Sequence, residues 1–174
     1  YRHTHTMSPA VQASIEEATI YYSASFFLTL PEGPESMLHV ARHACANNKI
    51  YCLNLAAEFL IEYFGAQMAT VLPYTDFIFA NETEAACFGK GRGWGSDLAA
   101  IALKMSMLPK ESGSRGRSVV ITNGSEATIV AKEGKVTLYP VPALAKELIV
   151  DTCGAGDAFV GGFLARLAVG LPIE

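Results

Sequence analysis

The sequence predicts an α/β fold, a mostly parallel sheet covered by helices on both faces, from three observations. Short β-branched and aromatic runs alternate with helix-periodic apolar runs three times between residues 19 and 88, the pattern of repeated strand and helix units. A glycine turn, Gly154-Ala155-Gly156, separates the apolar run Glu147-Leu148-Ile149-Val150 from a second apolar run, Ala158 to Val169, at helical spacing. The chain of 174 residues is 51% hydrophobic and 17% charged, one domain's length with enough apolar surface for a sizeable core and too much for disorder.

Each element has a local cause. Ser8-Pro9 before residues 10–18 is an N-cap and first-turn proline, so a helix is expected there, followed by a strand over 19–23. After a loop with Pro31, Gly33 and Pro34, residues 34–47 are helix-periodic, with Met37, Leu38, Ala41, Ala44 and Cys45 on one face. Residues 49–55 form a second strand, 58–71 a helix broken near Gly65, 76–80 a third strand and 82–88 the start of the next helix. Glycines alternating with bulky residues from Gly89 to Gly95 follow a helix rather than a strand and suit a surface connection. Ser96 caps a helix through Met107, residues 110–117 form a polar loop, and residues 118–122 a strand. Residues 128–132 and 135–139 flank Glu133-Gly134, a hairpin turn. Residues 147–150 are expected to be a short strand leading into the glycine turn.

Charge and cysteine usage narrow the function. Thirteen basic against seventeen acidic side chains give a net charge of -4, with no basic run, which argues against nucleic acid and for a small-molecule ligand. Four cysteines without C-x-x-C spacing indicate reduced thiols rather than a disulfide framework or zinc ribbon. The polar Tyr1–Thr6 stretch is no secretory leader, and no window approaches the ~20 uncharged residues of a membrane span. These features favour a cytoplasmic protein, the nucleus included, with no membrane partner.

The glycine turn carries the chemistry. Its glycines let backbone N–H groups converge, and the helix behind adds roughly half a positive charge, an anion hole made by Gly154, Ala155 and Gly156. Asp157 at its lip would repel a phosphate unless it served to hold a hydroxyl and take its proton. A P-loop string is absent, and Phe159 stands where a dinucleotide fingerprint needs a third glycine. An ordinary glycine-rich turn remains the alternative. Asn81 and Glu84 begin a helix at the carboxyl end of the third strand, and Thr122-Asn123-Gly124 ends another strand, both where open sheets place ligands. His39 and His43 at i, i+4 lack a third ligand and fit a surface pair.

The string Asp151-Thr152-Cys153-Gly154-Ala155-Gly156-Asp157 resembles the C-terminal signature of the ribokinase (PfkB carbohydrate and nucleoside kinase) superfamily. Phe26-Phe27-Leu28-Thr29, Asn54-Leu55-Ala56-Ala57, Pro73-Tyr74-Thr75-Asp76 and Asn81-Glu82-Thr83-Glu84-Ala85-Ala86 are, in order, similar to its adenosine kinase branch. The resemblance, from about Tyr22 onward, implies a three-layer α/β/α ribokinase-like fold. Residues 1–174 would be the C-terminal part of a single kinase domain, with the N-terminal part and lid missing. It implies transfer of the ATP γ-phosphate to the 5′-hydroxyl of adenosine, giving AMP and ADP in purine salvage. Asp157 would be the base; Asn54, Asn81, Glu84, Thr122 and Gly124 would bind the nucleotide. Asn81 and Glu84 would hold magnesium through water. Phe26 and Cys153 would line the nucleoside pocket, Cys153 at a position where some relatives carry asparagine. Its partners would be adenosine and ATP, and the full-length protein a monomer. A sugar kinase of the same superfamily, or a truncated nucleotide-binding fragment without turnover, are the alternatives.

Overall fold

The computed structural model describes residues 8–111 and 115–171. The polar stretch 1–6, the centre of the 110–117 loop and the last three residues lie outside them. The chain forms a six-stranded sheet in the order β1 (Ile20–Ala24), β2 (Ile50–Asn54), β3 (Phe77–Asn81), β4 (Ser118–Asn123), β5 (Glu126–Lys132) and β6 (Lys135–Tyr139). The first four strands pair in parallel and the last two join antiparallel. The β5–β6 turn has both central residues in the left-handed region, Glu133 at φ 52° and Gly134 at φ 76°, as a two-residue hairpin requires.

Parallel neighbours in sequence order need crossovers of one hand, which place their helices on one face. That face carries α2 (Gly33–Ala46), α3 (Glu58–Tyr63), α4 (Gly65–Val71), α5 (Glu82–Lys90) and α6 (Leu98–Ser106), following α1 (Pro9–Glu17). Met37, Ala41 and Ala44 of α2, Phe88 of α5 and Ile101 and Met105 of α6 close on Tyr51, Leu53, Ile78, Val119 and Ile121 from alternate strand positions. The opposite face is smaller. Cys52, Phe77, Phe79 and Val120 meet Val160 of α7 (Ala155–Ala168), with the Phe163 ring 5.1 Å from Phe79 and 5.6 Å from Phe77. Burying each such side chain contributes roughly 1.5–3 kcal/mol.

The expected elements form with local corrections. Residues 147–150 are not a strand: a 3-10 turn, Lys146–Leu148, gives way to irregular chain. Val150 is 96% exposed, and an apolar run without a neighbouring strand has no ladder to join. The cap of α6 is Asp97, whose Oδ1 accepts from Ala99 N–H at 2.9 Å, rather than Ser96. Among the described residues α7 alone covers the second face. Arg117, at the end of the expected polar loop, is 2% exposed. It donates to the carbonyls of Thr75, Leu108, Met105, Leu72 and Pro109 at 2.6–3.3 Å. Burial lowers its pKa to about 10, opposed by the charge of Asp76. Asp76 accepts from Tyr51 N–H at 2.9 Å and pairs with Lys110 Nζ at 2.9 Å, so a buried polar knot ties the amino ends of the strands and leaves their carboxyl ends for a ligand.

Candidate active site

Strand alternation collects the site. On the α7 side of the sheet, Cys52 and Asn54, Phe77, Phe79 and Asn81, and Val120 and Thr122 follow one another at every second position. Register places Ala24 beside Asn54, Asn54 beside Phe79 and Asn81 beside Thr122. The polar residues of three strands thus share one carboxyl edge, and α7 begins above it.

Gly154 caps α7 at φ 76°, a left-handed conformation that a side chain disfavours. The turn uses some of its own donors: Cys153 N–H donates to Asp151 Oδ1 at 2.8 Å and Ala155 N–H to Thr152 O at 3.1 Å. No acceptor among the described residues meets the N–H groups of Gly154, Gly156 or Asp157. The Ala155 amide closes the turn, and the amides without a protein acceptor among the described residues are those of Gly154, Gly156 and Asp157. The Asp157 side chain is exposed at the helix start.

Asn81 and Glu84 form a reciprocal capping box at the start of α5. Asn81 Oδ1 accepts from Glu84 N–H at 2.8 Å and from the Thr83 hydroxyl at 2.9 Å, and Glu84 Oε2 accepts from Asn81 N–H at 3.0 Å. Glu84 is 6% exposed. Burial raises its pKa above the ordinary carboxylate value, with the Asn81 N–H pulling the other way. The motif is both a helix cap and a desolvated carboxylate at the ligand edge.

A cavity of about 370 Å3 brings together Phe26, Asn54, Asn81, Glu84, Thr122, Gly154, Gly156 and Asp157. A second, of about 600 Å3 and mostly apolar, holds Gly124 and Ala155 and is walled by Tyr139, Val141 and Phe163. The two share Val120, Thr122, Gly156 and Phe159, so they meet at the start of α7. Cys153 is exposed and lines neither. His39 and His43 are half-buried rather than superficial, His43 lying edge-on to Tyr21. No group of three or more His, Cys, Asp or Glu that could hold a metal occurs among the described residues.

Sequence reasoning assigns no role to Tyr22, Ser25 or Ala56. Tyr22 O–H accepts from Asn54 Nδ2 at 3.0 Å, the Ser25 hydroxyl donates to Asn54 O at 2.8 Å, and Ala56 N–H donates to Asn54 Oδ1 at 3.0 Å. The alternation of β1 from Ile20 marks Tyr22 as facing the site. Ala56 falls within the Asn54-Leu55-Ala56-Ala57 string, but its φ of 67° cannot be read from an alanine.

Comparison with known proteins follows the same lines. The family model described as pfkB family carbohydrate kinase matches residues 2–174. Adenosine kinase 1 of Arabidopsis thaliana is 50% identical over 175 residues, which is all of this chain and 50% of that protein. The adenosine kinase of Schizosaccharomyces pombe is 47% identical over all of this chain and 51% of its own length. The crystal structure of Anopheles gambiae adenosine kinase in complex with P1,P4-di(adenosine-5) tetraphosphate superposes with a TM-score of 0.92 at 39% identity, over 97% of this chain and 50% of that one. The chain spans about half the length of the curated relatives it matches. With the family model matching nearly the whole length, the chain belongs to the pfkB carbohydrate kinase family.

Proposed function

We propose that the protein containing this chain is an adenosine kinase, transferring the γ-phosphoryl group of ATP to the 5′-hydroxyl of adenosine to give AMP and ADP. The observation that carries this reading is the exposed Asp157 carboxylate beside unspent amides at the start of α7, where a polar cavity meets an apolar one. Asp157 holds the hydroxyl and accepts its proton late, as the alcohol oxygen bonds to phosphorus and the bond to the ADP oxygen breaks. The N–H groups of Gly156 and Asp157, at the positive end of α7, stabilise charge on the moving phosphoryl group. Positioning supplies most of the remaining rate.

The donor set fits a hard divalent cation, since Glu84, Asn81 and Asp157 offer oxygens at one edge of the cleft. Asn81 and Glu84 would hold magnesium through water, the Asn81 oxygen being already engaged within the capping box. When bound, the ion supplies neutralisation of the phosphate oxygens. In this reading Thr122 and Gly124, which line the apolar cavity, contact the ATP base, and Phe26, which lines the polar one, packs on the acceptor. The names of the relatives favour adenosine over a sugar as acceptor. A purine-salvage role, a cytoplasmic setting and a monomeric full-length protein complete the reading; no helix among the described residues is long and apolar enough to cross a membrane.

The test is acceptor-dependent ADP release by this chain and by the full-length protein, each with and without Asp157→Ala. Adenosine-dependent release by the full-length protein that falls about 10²–10⁴-fold in the variant is expected for loss of a general base. Release driven by a sugar instead, or unaffected by the substitution, would refute the assignment.

A further inference from the structure

Asn54 is tied at three atoms, and the ties decide which way its side chain points. Its backbone carbonyl accepts the Ser25 hydroxyl at 2.8 Å, its side-chain oxygen accepts Ala56 N–H at 3.0 Å, and its side-chain nitrogen donates to the Tyr22 hydroxyl at 3.0 Å. A backbone N–H can only donate, so the amide atom facing Ala56 is the oxygen and the one facing Tyr22 is the nitrogen. Ala56 makes this bond from φ 67°, a conformation non-glycine residues rarely adopt and one that marks a constrained position.

The orientation has a chemical result. With its oxygen accepting from Ala56 N–H and one N–H given to the phenol, Asn54 has a single N–H left for a ligand. Asn54 and Ala56 line the cavity with Asp157. Tyr22 packs edge-on to Phe79 with ring centroids 6.5 Å apart, so its ring is braced independently of its hydroxyl. Burial raises the phenol's pKa, and the Asp157 charge adds to the rise, which keeps the phenol neutral beside Asn54.

We propose that Tyr22 is a positioning residue which, by accepting from Asn54, locks that amide as a donor to an anionic oxygen of the bound nucleoside triphosphate. The proposal rests on the phosphoryl-transfer reading of the cleft. Tyr22→Phe keeps the ring against Phe79 and removes only the hydroxyl, leaving the amide held by the Ala56 N–H alone.

The experiment uses the full-length protein and measures KM for Mg·ATP, kcat, thermal midpoint and ATP affinity by calorimetry for parent, Tyr22→Phe, Asn54→Ala and the double variant. Tyr22→Phe is expected to weaken ATP by about three- to tenfold, the worth of one hydrogen bond, with kcat and the thermal midpoint little changed. Because Tyr22 acts through Asn54, the double variant should be no weaker than Asn54→Ala alone. An unchanged ATP affinity in Tyr22→Phe, or penalties that multiply in the double variant, would overturn the proposal. A parent that binds ATP without acceptor-dependent turnover would sink the kinase reading while the calorimetric comparison still decides the role of Tyr22; a parent that binds no ATP would overturn both.

Discussion

Replacing Gly154 and Gly156 separately by alanine should move stability in opposite directions although the two positions are two residues apart. At Gly154 an added Cβ meets no atom within 4 Å, but φ is +76°. The cost is therefore purely conformational, about 1–2 kcal/mol for a left-handed L-residue, offset in part by ~0.4–1 kcal/mol from a stiffer unfolded chain. At Gly156 the Cβ is equally free and φ is not positive. Alanine there gains up to about 1 kcal/mol of helix propensity. The two variants should thus differ by up to about 2.6 kcal/mol, measured as urea midpoints at unchanged slope on the full-length protein. Turnover should show the reverse pattern of interest: Gly156→Ala, though at least as stable as the parent, places a methyl group in the wall shared by the two cavities and should lose activity. A Gly154→Ala protein as stable as the parent would refute the left-handed cap. Full activity in Gly156→Ala would refute close approach of a phosphoryl group to that amide.

Two further outcomes are expected. Glu84 has its folded pKa raised by burial, so its contribution to stability is fully present below its unfolded pKa and is lost as pH rises through the raised value. Glu84→Gln, which can still accept from Asn81 N–H, should flatten the stability profile across that window and be no less stable at neutral pH; a profile unchanged by the substitution would contradict the burial argument. Arg117→Ala strands five carbonyl contacts, and at about 1–3 kcal/mol per unsatisfied buried acceptor the loss should exceed ~4 kcal/mol. A thermal midpoint lowered by less than a few degrees would show that water replaces the guanidinium freely.

The sheet is legible in the sequence because its signal is local: β-branched runs, a helix break at Gly65 and the turn at Glu133-Gly134 each act within a few residues. The edge that carries the candidate site is legible for the same reason, since Asn81-Glu84 and the glycine turn are contiguous motifs. Residues 147–150 mislead because strand formation needs a partner that periodicity does not report. Arg117 is misread because its burial depends on carbonyls from Leu72, Thr75 and Met105, segments that sequence spacing does not connect to it. Ala56 reads as an ordinary alanine, because its bond to Asn54 depends on a backbone angle rather than a side chain.

The helix that carries Asp157 is, among the described residues, also the whole of the second layer over Phe77, Phe79 and Val120. A ligand that moved its first turn would therefore also disturb the packing of the minor core. Amide exchange along 155–168 should slow when the cleft fills, and the aromatic pair beneath should report occupancy before any product is formed.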